Sequence, residues 1–125
     1  MSISNGLSAA YGLARVGFGI FAASSPKTVG RTWIGADADR PRVEVLLRAL
    51  GFRDIALGAG ITEGALRGNA TGWLAVAMLC DLGDMSATLI GRKNLDQQEA
   101  IITAALTSGG AIAAAILLLA ERSEI

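Results

Sequence analysis

Five ionisable side chains stand inside stretches of this chain that are otherwise apolar: Arg15, Arg53, Asp54, Asp81 and Asp84. Cations and carboxylates in such surroundings can pair with each other, bind a polar group or pass a proton. Spacing sorts them onto faces. Ser8, Gly12, Arg15 and Gly19 recur at intervals of four, three and four, which is one face of a helix. Leu74, Ala77, Asp81, Asp84 and Thr88 follow the same rule, so Asp81 and Asp84 are neighbours, and two adjacent carboxylates resist ionising together. Arg53 and Asp54 are consecutive and point about 100° apart on a helix. They are therefore expected to serve different partners. Asp54 is expected to meet Arg15, and Arg53 to meet Asp81 or Asp84, with the helix of Arg53 between the other two. Two cations then serve three carboxylates. One carboxylate is left over, and Asp81, the more central, is the preferred candidate.

Other chemistry has less support. The chain has no His, the commonest general base and metal ligand. Three Asp residues can in principle hold a hard cation such as Mg²⁺, but two arginines nearby argue against a metal, and none is expected. Ser8, Ser86 and Thr107 have no base to activate them as nucleophiles. Gly58-Ala59-Gly60 lacks the strand–turn–helix setting of a nucleotide site and is read as a close-packing element. The only cysteine, Cys80, lies in an apolar stretch and is read as buried packing. No cofactor is implied.

The elements that position these charges are helices. In 125 residues, enough for a single domain over 1–125, hydrophobic residues make up 52% and charged residues 18%. That charged share is below the roughly 25% of ordinary soluble domains. The run from Ala100 to Ala120 carries no charge and is long enough to span a bilayer. Within it Thr103, Thr107, Ala111 and Ala115 form a small-residue stripe suited to close helix contact, while Ile101, Ile112, Ile116 and Leu119 lie on another side. The fold class expected is an all-α integral membrane four-helix bundle, with transmembrane helices near 4–23, 43–66, 71–91 and 98–120. Pro26 ends the first helix and Arg67-Gly68-Asn69 turns the chain after the second. Asp96 and Glu99 are placed to form a capping box. The segment from Ser24 to Pro41 is either an ordinary loop or partly a surface-lying stretch around Val29, Trp33 and Ile34. The alternative of a soluble bundle would have to bury the Ala100–Ala120 run on all sides, which a domain of this size hardly allows.

On the four-helix reading the helices alternate in direction. Arg15, Arg53, Asp54 and Asp81 then come to about the same depth, with Asp84 one turn away. Charges there must turn inward, since each costs at least ~2.5–3.5 kcal/mol at a helix centre. Six basic residues (Lys27, Arg31, Arg40, Arg42, Arg92 and Lys93) fall on one side against Arg67 and Arg122 on the other. By the positive-inside rule the loops 24–42 and 91–97 are cytoplasmic and both termini outside, in a multi-pass protein of the cell membrane. Glu63 and Trp73 fall near the outer interface and Trp33 near the inner one. The segment before Arg15 carries no basic side chain and is not expected to be a cleaved signal. Eleven basic and eleven acidic residues balance, so nucleic acid is not an expected partner.

The stretch Leu50-Gly-Phe-Arg-Asp-Ile-Ala-Leu-Gly58, with Arg15-Val-Gly-Phe-Gly-Ile-Phe and Trp33-Ile-Gly35, resembles the Gly-x-Arg-Asp-x-x-Leu-Gly signature of a family of small bacterial membrane proteins, loosely DoxX-like in shape. The resemblance implies four transmembrane helices and no established activity. The functional expectation is a membrane module whose network of Arg15, Arg53, Asp54, Asp81 and Asp84 binds, or helps pass, a small or lipophilic partner among membrane lipid. The alternatives are a small isomerase- or cyclase-type membrane enzyme using a protonated Asp as general acid, and an accessory subunit of a larger membrane complex. A homo-oligomer formed through the stripe on the last helix is also expected.

Overall fold

The computed structural model describes residues 1–123, and no strand occurs among them. The described residues form five α helices: α1 (Ile3–Ser24), α2 (Pro26–Ile34), α3 (Pro41–Leu66), α4 (Thr71–Ile90) and α5 (Gln97–Ser123). The four long segments read from the sequence correspond to α1, α3, α4 and α5. The segment after Ser24 is helical rather than a loop. Its polar residues hid it, but Pro26 and Pro41 each stand at the start of a helix, where proline's missing N–H costs nothing. Short 3₁₀ turns at Gly35–Asp39 and Arg92–Asn94 complete the connections.

The helix ends follow from their residues. The Ser2 hydroxyl accepts from the Asn5 backbone N–H at 3.1 Å and caps α1. Arg48 donates to the Ala23 carbonyl at 2.6 Å, a cation at a helix C-terminus. Gly68, at φ 84°, lets the chain leave α3 with Asn69 N–H bonded back to the Gly64 carbonyl at 2.8 Å. Asp96 and Glu99 exchange backbone-to-side-chain bonds of 2.8 and 3.1 Å, the reciprocal box that starts α5. Between α2 and α3, Arg31 donates to Asp39 at 2.8 Å, and that bond holds the Asp39 carboxyl below its ordinary range.

Glycines set how closely α1 and α3 approach. A Cβ at Gly12 would lie 2.7 Å from the Gly58 carbonyl oxygen, and one at Gly19 would lie 2.5 Å from that of Gly51. The two pairs are antiparallel partners seven residues apart on each helix, and both contacts are backbone against backbone. Arg15 lies between Gly12 and Gly19, and Asp54 between Gly51 and Gly58. The same glycines that bring the helices together therefore bring this cation and carboxylate face to face.

The apolar core is small. Ile61, Ala65, Ala70, Leu74, Ala77 and Leu117 cluster at the end of the bundle that holds the α3–α4 turn. α4 packs against α5, on which Ala111, Ala114 and Thr103 are buried. Of the stripe on α5, Thr103 and Ala111 are thus buried inside the chain, while Thr107 and Ala115 are half-buried. The small-residue rule marks a close contact without saying whose helix makes it. Cys80 is also only partly buried, against the expectation of a packed thiol.

Much of what lies outside is apolar. Ile101, Ile112, Ile116 and Leu119 on α5 are 59%, 59%, 60% and 66% exposed. Leu106 of α5 is exposed too, as are Leu13, Phe52 and Leu79 on the other long helices. Among the described residues three helices, α1, α4 and α5, are long and apolar enough to cross a membrane. α3 is longer than α1 and α4 but carries Arg42, Glu44, Arg48, Arg53, Asp54 and Glu63 and is not one of them.

Candidate functional site

The structure brings all five intrahelical charges into one network. From α1, Arg15 reaches across to α4 and grips Asp81 with both terminal nitrogens, Nη1 to Oδ2 at 2.9 Å and Nη2 to Oδ1 at 2.7 Å. Nη2 also donates to Oδ1 of Asp54 on α3 at 3.1 Å. From α3, Arg53 grips Asp84 in the same two-pronged way, at 3.0 and 2.7 Å, and touches Asp54 Oδ1 at 3.4 Å. Asp54 is therefore the bridge between two arginine–carboxylate forks. Parallel N–H···O bonds of this kind are the strong form of the ion pair and fix the planes of both groups.

Each of the three carboxylates touches a guanidinium, so the one in excess is not the free Asp81 or Asp84 that was expected. The reason is the shape of the guanidinium. It presents five donors in a fork, and Arg15 and Arg53 each serve two carboxylates at once. Asp81, the preferred candidate for the spare group, holds the shortest bond to Arg15. The Arg15–Asp54 contact exists, but it is the weaker of the two that Arg15 makes, and Asp84, not Asp81, is the main partner of Arg53.

Residues outside the expected set complete the cluster. Tyr11 lies one turn before Arg15. Its oxygen accepts from Arg15 Nη1 at 3.0 Å, and its hydroxyl donates to the Gly110 carbonyl of α5 at 3.3 Å. The four-residue spacing of Tyr11 and Arg15 was the available signal. Gly110 is small for a reason seen here: a Cβ would lie 2.6 Å from Asp81 Oδ2. Trp33 of α2 donates to the Thr88 hydroxyl at 3.1 Å and ties the short helix to α4 just beyond Asp84. The Nε atoms of Arg15 and Arg53 are buried with no hydrogen-bond partner among the described residues.

Beside the network is a cavity of about 410 Å³. All five charged side chains line it, and its other walls include Phe18, Phe21, Leu47, Leu50, Trp33 and Leu106. α2 covers part of it, packed against α1, α3 and α5. The volume lies within the ~300–1,000 Å³ of small-molecule sites, which combine apolar walls with a few convergent polar groups.

A second buried carboxylate, Glu121, lies at the opposite end of the bundle. It accepts from the Ser8 hydroxyl at 2.9 Å, the Ala70 backbone N–H at 3.1 Å and the Thr71 hydroxyl at 3.2 Å. It serves as the N-terminal cap that α4 does not supply from its own sequence. The sequence offered only a charge at the edge of an apolar run.

Comparisons with protein-family models, with curated proteins and with solved structures return no match for this chain.

Proposed function

We propose that this chain is a multi-pass membrane protein in which α1, α3, α4 and α5 cross the bilayer and the charged cavity binds the polar end of a small amphipathic molecule. The observation that carries the proposal is the cavity itself. It is lined both by a set of charges that is costly in lipid and by aromatic and aliphatic side chains. Structural pairing alone needs no empty volume beside it.

Membrane residence is supported by the three apolar helices and by the bulky residues exposed along α5. Contiguous exposed apolar surface of this kind is rare on soluble monomers. α3 can cross in their company because Arg53 and Asp54 face inward and are paired, and its other charges lie toward its ends. Basic residues set the proposed orientation, with the α1–α3 and α4–α5 connections cytoplasmic and both termini outside. An enzyme acting through an uncommitted Asp has less support, since each of the three carboxylates accepts from a guanidinium.

The experiment is quenching of Trp33 by bromododecanol in nonionic detergent, with Trp73→Phe leaving Trp33 as the single tryptophan. Saturable quenching is expected, because Trp33 lines the cavity directly. Quenching that only rises in proportion to probe in the micelle would overturn the proposal.

A further inference from the structure

The cavity has an unbalanced charge. Two guanidinium groups, Arg15 and Arg53, face three carboxylates, Asp54, Asp81 and Asp84, which leaves one negative charge in excess. The hydrogen bonds are shared unevenly among the three carboxylates. Both oxygens of Asp81 and both of Asp84 accept from an arginine. Asp54 accepts two bonds, both on Oδ1. Among the described residues no donor reaches its Oδ2, although the Asp54 side chain is only 9% exposed. The unpartnered Nε atoms of the arginines are sealed from the cavity space, so they do not offer a competing anion site.

Three features say what should meet Asp54 Oδ2. It is an acceptor in a net negative cluster, so a cation that can donate a hydrogen bond fits it best. A bare metal ion fits poorly, because among the described residues no group of three His, Cys, Asp or Glu side chains is gathered to hold one. Tyr11, Phe18, Phe21 and Trp33 also line the cavity, and aromatic faces attract organic cations. From this geometry we infer that the cavity selects a lipophilic amine: an ammonium head on Asp54 Oδ2, with the alkyl or aryl body against the walls. The inference rests on the proposed binding role and narrows its ligand to one class.

The test compares bromododecylammonium, bromododecanol and bromododecanoate as quenchers of Trp33 in the Trp73→Phe protein, each corrected for partition into protein-free micelles. The ammonium probe is expected to half-saturate at a roughly tenfold lower concentration than the alcohol, a ratio equivalent to ~1.4 kcal/mol, and the carboxylate probe to bind more weakly than either. Asp54→Asn should bring ammonium and alcohol together. The series in the unsubstituted site decides the matter even if Asp54→Asn does not fold. Equal binding of all three probes, or preference for the carboxylate, overturns the amine inference and leaves the binding role standing. Saturable quenching by none of them overturns both.

Discussion

Arg15 and Asp81 lie 66 positions apart in the sequence and face each other through two parallel bonds of 2.9 and 2.7 Å. This fork joins α1 to α4, and Asp54 of α3 links it to the second fork, that of Arg53 and Asp84. Removing one partner leaves the other buried and uncompensated, which typically costs ~3–5 kcal/mol. Arg15→Ala and Asp81→Ala should each reduce folded protein sharply in detergent. The double variant should lose less than the sum, and the coupling should exceed that of the Arg15–Asp54 cycle. Unfolding of the four proteins of each cycle measures this, and additive effects would contradict it.

Asp81→Asn and Asp84→Asn should both be damaging. Asp81 is the more buried, with 10% of its side chain exposed against 19% for Asp84, so it should be the worse of the two. Thermal unfolding in detergent gives the order. A silent Asp81→Asn would restore the idea of a spare carboxylate.

The glycine pairs make a steric prediction. Gly12→Leu should cost at least ~1–3 kcal/mol, because the side chain meets the backbone of α3. Gly17 has nothing within 4 Å of its would-be Cβ. Gly17→Ala should therefore be neutral or stabilising by up to ~1 kcal/mol. Equal effects at the two positions would mean that α1 and α3 do not approach as described.

These glycines mark what the sequence made legible. The face carrying Gly12, Arg15 and Gly19 and the face carrying Asp81, Asp84 and Thr88 were readable from spacing, because helical periodicity decides them locally. Convergence of the five charges followed from depth. Which carboxylate pairs with which cation did not, since it depends on how far a helix leans and on a guanidinium's capacity to serve two acceptors. α2 was hidden because a nine-residue helix rich in polar side chains has no long apolar period. Glu121 looked like the end of an apolar run, and only the fold brings it to Ala70 and Ser8.

Glu121→Ala should leave the Ala70 N–H and the Ser8 hydroxyl without their acceptor, at about 1–3 kcal/mol for such a loss. Glu121→Gln keeps an acceptor oxygen and should be milder. Comparing the two by thermal unfolding separates the cap from simple loss of charge at the end of α5.

Orientation is tested by labelling. In a Cys80→Ser background, cysteines at Asp37 and Asn94, both exposed, should be shielded from an impermeant thiol reagent in intact cells. Gly35 is the poorer site because its φ of 69° strains any other residue. Labelling at both positions would reverse the proposed topology.

The central claim is that the cavity beside the Arg15–Asp81 fork holds a ligand. Its most direct test is native mass spectrometry of the protein extracted gently from its own membranes. Wild type is expected to carry one small amphipathic molecule per chain, and Leu50→Trp, which fills the cavity, to carry none. A bare wild-type chain, or the same adduct on both proteins, would contradict the account.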